Sequence, residues 1–106
     1  MIRITLVYKR EDGGHFDFDY YVNNHIEMSR RIMSGCGLLS IEVEKCIKTL
    51  DGKDPDFICI SHVDFESEAG LAKALEEHGD EMMADFINFT NIDPEIHVCE
   101  ILTSGV

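Results

Sequence analysis

The sequence predicts an α+β domain whose elements follow the order β-α-β-β-α-β. Short segments that alternate apolar and polar residues with a period of two are typical of half-buried strands. Two longer segments carry apolar residues at spacings of three and four, which indicates amphipathic helices. The chain has 106 residues, of which 44% are hydrophobic. It can therefore bury one core, and we expect a single domain over residues 1–106.

The first half of the chain is predicted to form a strand, a helix and a second strand. Apolar and polar residues alternate from Ile2 to Val7. Asp17 can accept hydrogen bonds from the free N–H groups of a helix that runs from about Asp17 to Ile32. Gly37 supplies a left-handed turn after this helix. The next strand, Leu38 to Leu50, is unusually long, and a strand that extends beyond its own domain often pairs with a partner chain.

The second half is predicted to form a strand, a helix and a final strand. The strand Phe57 to Phe65 begins with apolar residues on both faces, so we expect both faces to be covered. Ser67 can cap the helix that follows, and Gly79 is predicted to end it. A short helical continuation over Asp80 to Phe86 and a last strand that ends near Leu102 complete the pattern.

This order of elements is that of the ferredoxin-like plait, an antiparallel sheet with both helices on one face. The uncovered face would carry Val7, Ile58 and Ile60, and a bare apolar face of that size would aggregate. Two sheets packed face to face would cover it. We therefore predict a homodimer, a dimeric α/β barrel, with a cleft between sheet and helices in each half.

Charge and cysteine content restrict the partners and the compartment. The formal net charge is −12, from 21 acidic and 9 basic residues, which argues against nucleic acid and anionic membranes as partners. No apolar run approaches the length of about 20 residues that a membrane-spanning helix needs. The sequence does not begin with a signal-peptide pattern. The four cysteines form no C-x-x-C pair, which favours free thiols over disulfides and predicts a cytoplasmic protein.

Two motifs carry a resemblance to a known family. The first is Phe-Asp-x-Asp-Tyr-Tyr-x-x-x-His over residues 16–25, followed by Gly37-Leu38 and a strand rich in Val and Glu. The second is MADFINFT over residues 83–90, followed by Pro94 and a final strand. In these motifs the sequence resembles the EthD (ethyl tert-butyl ether degradation) family of the dimeric α/β-barrel superfamily. The resemblance spans essentially the whole chain and departs at Glu27, where relatives often have proline.

The resemblance implies a ferredoxin-like protomer and a homodimer, and it implies the fold more narrowly than the activity. The member that gives the family its name belongs to an oxidative ether-degrading system. Other members of the superfamily are cofactor-free monooxygenases, muconolactone isomerases and haem-degrading enzymes. Fungal relatives act as decarboxylases or dehydratases in polyketide pathways. The departure at Glu27 leaves the first helix less kinked than a proline would, which bears on the shape of the pocket edge.

His25 and Tyr21 are the candidate catalytic residues. They are four positions apart on the apolar face of the first predicted helix, so they lie on neighbouring turns. An imidazole with an ordinary pKa of about 6.5 can act as general base or acid near neutral pH. Tyr21 would then position the substrate or orient the ring. The alternative is a core histidine that is hydrogen-bonded to a backbone carbonyl.

Other side chains are candidates for substrate binding at the cleft: His62, His78, Phe18, Met28 and Phe86. His62 points into the dimer barrel if Phe65 packs beneath the helices. His78 either interacts with the dipole at the end of the second helix or borders the cleft. Core packing explains the other three equally well. No pair of histidines has the spacing of a metal site, and no nucleotide-binding motif is present, so we expect neither a metal nor a cofactor.

The sequence is compatible with three functions. The first is a cofactor-free enzyme that acts on a small apolar organic or polyketide-like molecule. It would transfer a proton next to a carbonyl, or act as an oxidoreductase that oxygenates an electron-rich ring. The second is a non-catalytic binding protein or accessory subunit of an oxidative degradation system. The third is a purely structural dimer whose cleft is filled.

Overall fold

The computed structural model describes residues Met1 to Val106 and contains the predicted order of elements. The strands are β1 (Ile2–Lys9), β2 (Leu38–Lys45), β3 (Phe57–Phe65) and β4 (Glu95–Glu100). Helix α1 consists of three successive segments, Phe18–Tyr20, Tyr21–His25 and Ile26–Met33, and helix α2 spans Glu68–Ala84. Short 3₁₀ turns at Ser34–Cys36 and Phe86–Asn88 follow the two helices. Neither helix has the length and apolar character needed to cross a membrane.

The four strands form one antiparallel sheet in the order β2-β3-β1-β4. Strand β1 is central and pairs with β3 on one side and β4 on the other, so that Leu6 lies opposite both Ser61 and Ile96. On β3 the buried residues include Cys59, Ser61 and Phe65, and this face packs beneath the helices. The predicted α+β ferredoxin-like fold is confirmed.

The signals at the helix ends act as the sequence predicts. The carboxylate of Asp17 accepts a hydrogen bond from the backbone N–H of Tyr20 at 3.0 Å. The hydroxyl of Ser67 accepts from the backbone N–H of Gly70 at 3.2 Å. Gly37 has a φ of +77°, a left-handed conformation that glycine adopts without steric cost. These three local interactions set where the chain enters and leaves the helices.

The prediction that the second strand runs to Leu50 is wrong, because β2 ends at Lys45. Beyond Lys45, only the N–H of Cys46 still bonds across to Ile58, at 3.0 Å. The opposite segment contains the buried Pro55, which has no N–H to donate to a strand ladder. Residues 46–50 therefore lead into a turn, in which the N–H of Thr49 bonds to the carbonyl of Lys53 at 2.9 Å.

The prediction that Gly79 ends the second helix is also wrong. Helix α2 runs without interruption from Glu68 to Ala84, a span of 17 residues. A glycine inside a helix costs roughly 1 kcal/mol relative to alanine, which is small enough for packing to override. The turn after Gly79 contains the half-buried Met82, which packs against the core and offsets this cost. The predicted continuation over residues 80–86 is therefore mostly part of the same helix.

The sheet face opposite the helices carries the predicted apolar residues. Val7 and Ile60 pair directly across β1 and β3, and both are half-buried in the protomer. Thr5 and His62 form the next pair on the same face. Near the end of the sheet, Arg3 makes two hydrogen bonds to the carboxylate of Asp64, at 2.8 and 3.0 Å. This face therefore combines an apolar centre with a fixed ion pair.

Candidate functional site

A cavity of about 130 Å³ lies between the helices and the sheet. Of its 16 lining residues, 14 are hydrophobic, and the other two are His25 and Ser29 of helix α1. A cavity needs roughly 10–15 Å³ of such volume to hold one water molecule, so this one has room for about ten waters or a small organic molecule. Leu75 of α2 and Ile96 of β4 also line it and are exposed, by 57% and 55%, so these two residues mark its open side.

His25 is held on the wall of this cavity by a turn of π-helix. The segment Tyr21–His25 is wound more widely than an α-helix, and the N–H of Ile26 bonds back to the carbonyl of Tyr21. Single π-helical turns within α-helices occur frequently at functional sites. The rings of Tyr21 and His25 stack with 5.5 Å between their centroids and an interplanar angle of 13°. The edge-on ring of Phe86, 5.4 Å away, further restricts the imidazole.

The two ring nitrogens of His25 have different environments. Nδ1 lies 2.9 Å from Oδ2 of Asp85. Because a carboxylate only accepts hydrogen bonds, Nδ1 carries the hydrogen, and Nε2 has a free lone pair. Nε2 makes no hydrogen bond within the protein, and it is not enclosed, since the only enclosed side-chain polar atom without a partner is the hydroxyl of Tyr8. His25 therefore has one ring nitrogen, Nε2, that is free to accept a hydrogen bond, on a side chain that lines the cavity.

The charge state of the His25–Asp85 pair follows from its surroundings. Burial lowers the pKa of His25, and the nearby carboxylate opposes this effect only in part. Burial would raise the pKa of Asp85, but hydrogen bonds from Asn88, Tyr20 and His25 outweigh it and lower this pKa. The Tyr20 hydroxyl donates to Oδ1 at 2.7 Å and the Asn88 amide at 2.8 Å. At neutral pH the pair is thus a neutral imidazole oriented by an ionised carboxylate.

The hydroxyl of Tyr21 is already occupied. It lies 2.7 Å from Oγ of Ser61, which is fully buried on β3. Burial raises the pKa of Tyr21 to about 12, so the phenol stays protonated near neutral pH. Tyr21 therefore contributes an aromatic surface to the cavity and supports the imidazole by stacking. Its predicted part in catalysis stays a prediction.

Three of the seven predicted site residues border the cavity: His25, Tyr21 and Phe86. Phe18 lies at the start of α1, packed against Phe16 with ring centroids 4.7 Å apart and with the Lys45 ammonium 5.2 Å from its own centroid. Met28 is half-buried on α1 but does not line the cavity. The structure thus separates these two side chains from the imidazole they were expected to accompany.

The other two predicted histidines lie away from the cavity. His62 is on the face of the sheet opposite the helices, where its Nδ1 is 3.2 Å from the Thr5 hydroxyl and its Nε2 is 3.6 Å from a carboxylate oxygen of Glu44. His78 lies on α2, outside the cavity lining, with its Nε2 3.8 Å from a carboxylate oxygen of Glu77. Neither residue lines the cavity next to His25, and their predicted part in substrate binding stays a prediction.

One group of side chains outside the cavity has the chemistry of a metal site. The ligand atoms of Cys36, Glu77 and His78 all lie within 4.8 Å of one another. Thiolate, imidazole and carboxylate are the ligand types that zinc accepts. Cys36 is buried in the 3₁₀ turn after α1, and Glu77 is exposed on α2. None of the three lines the cavity, so an ion held there would not reach a ligand of His25.

Sequence reasoning missed Asp85, the partner of His25, and Ser61, the partner of Tyr21. Asp85 is part of the second family motif, and the polar pair Asp85 and Asn88 interrupts an otherwise apolar segment. That interruption was the available signal, because a carboxylate among apolar residues needs a partner. Ser61 interrupts the apolar face of β3 in the same way.

Solved structures with the same fold include close matches to this chain. An EthD-like protein from Ralstonia eutropha JMP134 is 26% identical, with a TM-score of 0.90 over 98% of this chain and 94% of that protein. The predicted resemblance to the EthD family is confirmed. An EthD family protein from Bacillus halodurans C-125 is 20% identical, with a TM-score of 0.75 over 96% of this chain and 99% of that protein.

A third solved structure has the same fold. A dimeric ferredoxin-like protein from an uncultured marine organism is 12% identical, with a TM-score of 0.59 over 100% of this chain and 99% of that protein. At this identity the likeness shows the fold alone. No family model matches the sequence, and no curated protein does either.

Proposed function

We propose that the protein binds a small, mostly apolar organic molecule in the cavity and transfers a proton on it, with His25 as the general base. The observation that supports this most directly is the hydrogen bond between His25 Nδ1 and Asp85, which leaves Nε2 as a free base beside an apolar cavity. A histidine that served only to fill the core would not need an ionised carboxylate to select its tautomer.

The proposed reaction moves a proton next to a carbonyl group. Nε2 takes the proton from the carbon, the C–H electron pair delocalises onto the carbonyl oxygen, and the imidazolium returns the proton to the same or a conjugated carbon. The carboxylate of Asp85 stabilises the imidazolium through Nδ1–H. Apolar walls exclude water, which strengthens this electrostatic support. The cycle is balanced in protons and electrons within the substrate and the imidazole.

Exchange of carbon-bound hydrogen in D₂O tests this proposal without knowledge of the natural substrate. 2-Indanone fits the apolar character of the cavity and carries hydrogens next to its carbonyl. We expect the wild-type protein to accelerate its deuteration, measured by proton NMR, and His25→Ala to remove the acceleration. His15→Gln is the control, since His15 is exposed in the loop between β1 and α1 and does not line the cavity. If the wild type and His25→Ala accelerate the exchange equally, the proposal is contradicted.

A second function, binding without turnover, is favoured by a different observation. Among the side chains that line the cavity, His25 and Ser29 are the only ones that are not hydrophobic, and the Ser29 hydroxyl donates to the carbonyl of His25 at 2.9 Å. No side chain there is free to donate a hydrogen bond to a developing oxyanion. In this function the protein would carry a metabolite, or serve as the accessory subunit of an oxidative degradation system that the family resemblance suggests. Native mass spectrometry of the purified protein would then reveal a bound and chemically unchanged molecule.

We also propose that the protein is a homodimer. The pair Val7 and Ile60 lies at the centre of a sheet face that the helices leave uncovered. A second copy of the same face would bury this apolar surface, because an isologous pair matches a surface to itself. A structural neighbour is described as dimeric, which supports the same arrangement.

A further inference from the structure

We infer that the ligand of the cavity is a neutral molecule that carries one acidic hydrogen on an otherwise apolar frame, such as a phenol or the enol of a 1,3-dicarbonyl compound, and that carboxylates and other anions are rejected. This inference names a substrate class for the proposed function and rests on the same site. It follows from which polar atoms of the cavity remain free to interact with a ligand.

Only one side-chain polar atom of the cavity lining is free to form a hydrogen bond with a ligand. The Ser29 hydroxyl donates to the carbonyl of His25 at 2.9 Å, and the Tyr21 hydroxyl pairs with Ser61 at 2.7 Å. Nδ1 of His25 is used by Asp85. The remaining side-chain polar atom is Nε2 of His25, which offers a lone pair and no hydrogen. A ligand that satisfies it must donate a hydrogen, so an acidic O–H or C–H is required and an ether or ester oxygen finds no partner.

The cavity lining offers no positive charge to an anionic ligand. No lysine, arginine or acidic residue lines the cavity, and the Asp85 carboxylate contacts the Nδ1 side of the imidazole. An anion that enters an apolar cavity loses its hydration and gains no counterion, which is strongly unfavourable. The carboxylate of Asp85 and the formal net charge of −12 add electrostatic repulsion. The ligand is therefore uncharged when it binds.

The hydrogen that the ligand donates to Nε2 must also be acidic. If Nε2 takes the proton, the negative charge left on the ligand faces no side-chain donor other than the imidazolium that has just formed. The ligand must then spread this charge over its own conjugated system. Phenols and 1,3-dicarbonyl compounds do so, whereas simple alcohols and isolated ketones do so poorly. The ligand class is therefore defined by an acidic hydrogen and by an anion whose charge is delocalised.

Two isomeric probes separate the donor from the apolar frame. 4-Ethylphenol and 4-methylanisole have the same atoms, but only the phenol has an O–H. In isothermal titration calorimetry of the wild-type protein, we expect the phenol to bind roughly tenfold more tightly, the effect of about one net hydrogen bond. 4-Methylbenzoate, an anion of similar size, should bind at least about tenfold more weakly than the phenol.

Two variants assign the preference to Nε2. His25→Phe keeps an aromatic ring but removes the acceptor, so both isomers should bind with affinities that agree within about twofold. Asp85→Asn lets an amide donate to Nδ1, which moves the hydrogen to Nε2, and the preference for the phenol should shrink or reverse. The second variant preserves the shape of the site if the first one folds poorly.

The outcomes distinguish this inference from the proposed function. Equal binding of the two isomers, tighter binding of 4-methylbenzoate, or no binding of any of the three probes overturns the inference, even where exchange of 2-indanone still depends on His25. A phenol preference that depends on His25, without any exchange of 2-indanone, supports the inference and removes the proposed proton transfer.

Discussion

His25 and Asp85 are 60 positions apart in the sequence, yet Nδ1 of one lies 2.9 Å from Oδ2 of the other. The hydrogen bond joins the middle of helix α1 to the residue that follows helix α2. The orientation of the imidazole therefore depends on how α2 docks against the rest of the fold. Only the folded protein presents a free Nε2 to the cavity, and the predictions below use this dependence.

We expect protonation of His25 to reduce stability at acid pH. Burial lowers its pKa below the ordinary value of 6.5, so the unfolded chain takes up this proton at a higher pH than the folded protein. The part of the free energy of unfolding that depends on a neutral His25 is fully present above pH 6.5. It is lost as the pH falls from there through the folded-state pKa of His25. Urea unfolding at a series of pH values should show a steeper loss below about pH 6.5 in the wild type than in His25→Gln. Equal slopes would contradict this prediction.

Replacement of Asp85 should affect both stability and the imidazole. The carboxylate accepts hydrogen bonds from Tyr20, His25 and Asn88. We expect Asp85→Asn to lower the free energy of unfolding by about 1–3 kcal/mol, because at least one partner loses its acceptor. The pKa of His25, measured by NMR titration, should fall further, since the charge that opposed the effect of burial is gone.

Asp80→Asn is the matched control for this experiment. Asp80 lies in the last turns of α2, the helix that Asp85 follows; it is exposed and makes no side-chain hydrogen bond or ion pair. Its replacement should leave the free energy of unfolding within about 0.5 kcal/mol of the wild type. A similar loss of stability in both variants would show that the hydrogen bonds of Asp85 are not the cause.

Removal of the hydroxyl of Tyr8 should cost nothing or stabilise the protein. This hydroxyl is enclosed and has no hydrogen-bond partner, and burial raises the pKa of Tyr8 far above its ordinary value. Tyr8→Phe removes an unsatisfied polar atom, so we expect a change between about 0 and +1 kcal/mol in the free energy of unfolding. Tyr21→Phe is the control: it removes the 2.7 Å hydrogen bond to the buried Ser61 hydroxyl, which then keeps only the weak 3.7 Å contact with Sγ of Cys59, and it should cost about 1–2 kcal/mol. If chemical denaturation shows that Tyr8→Phe destabilises the protein more than Tyr21→Phe does, the hydrogen bonding assigned to the two hydroxyls is contradicted.

Two glycines in helix α2 should respond to alanine in opposite directions. At Gly70 a Cβ would overlap the backbone carbonyl oxygen of Cys36, which cannot move aside as a flexible side chain would. We expect Gly70→Ala to destabilise the protein by about 1–3 kcal/mol. At Gly79 a Cβ meets nothing within 4 Å, so Gly79→Ala should stabilise the helix by about 0.5–1 kcal/mol. Thermal unfolding followed by circular dichroism measures both changes.

The uncovered sheet face should control assembly. Val7→Glu places a charge at the centre of the apolar face, where a second copy would bury it without a partner. We expect the dimer to become a monomer in sedimentation velocity. Ile87→Glu is the control, because Ile87 is 82% exposed in the 3₁₀ turn after α2. A wild type that sediments as a monomer would contradict the proposed homodimer.

The sequence was most informative where structure depends on neighbours in the chain. Asp17, Ser67 and Gly37 each act within a few residues, and the positions they set agree with the structure. Prediction was wrong where a distant contact overrode a local signal. Gly79 did not end α2 because Met82 packs in the next turn, and β2 stopped early because of Pro55 across the hairpin.

Sequence by itself determined the order of the elements and the place of His25 on the inner side of a helix, because these follow from periodicity and short-range capping. Tertiary structure alone decided that Asp85 meets His25, that Ser61 occupies the hydroxyl of Tyr21, and that His62 and His78 lie away from the cavity. These contacts join residues 40 or more positions apart or depend on how α2 docks, and no local pattern encodes such distances. The chemistry of the site therefore emerges only when the two helices close over the sheet.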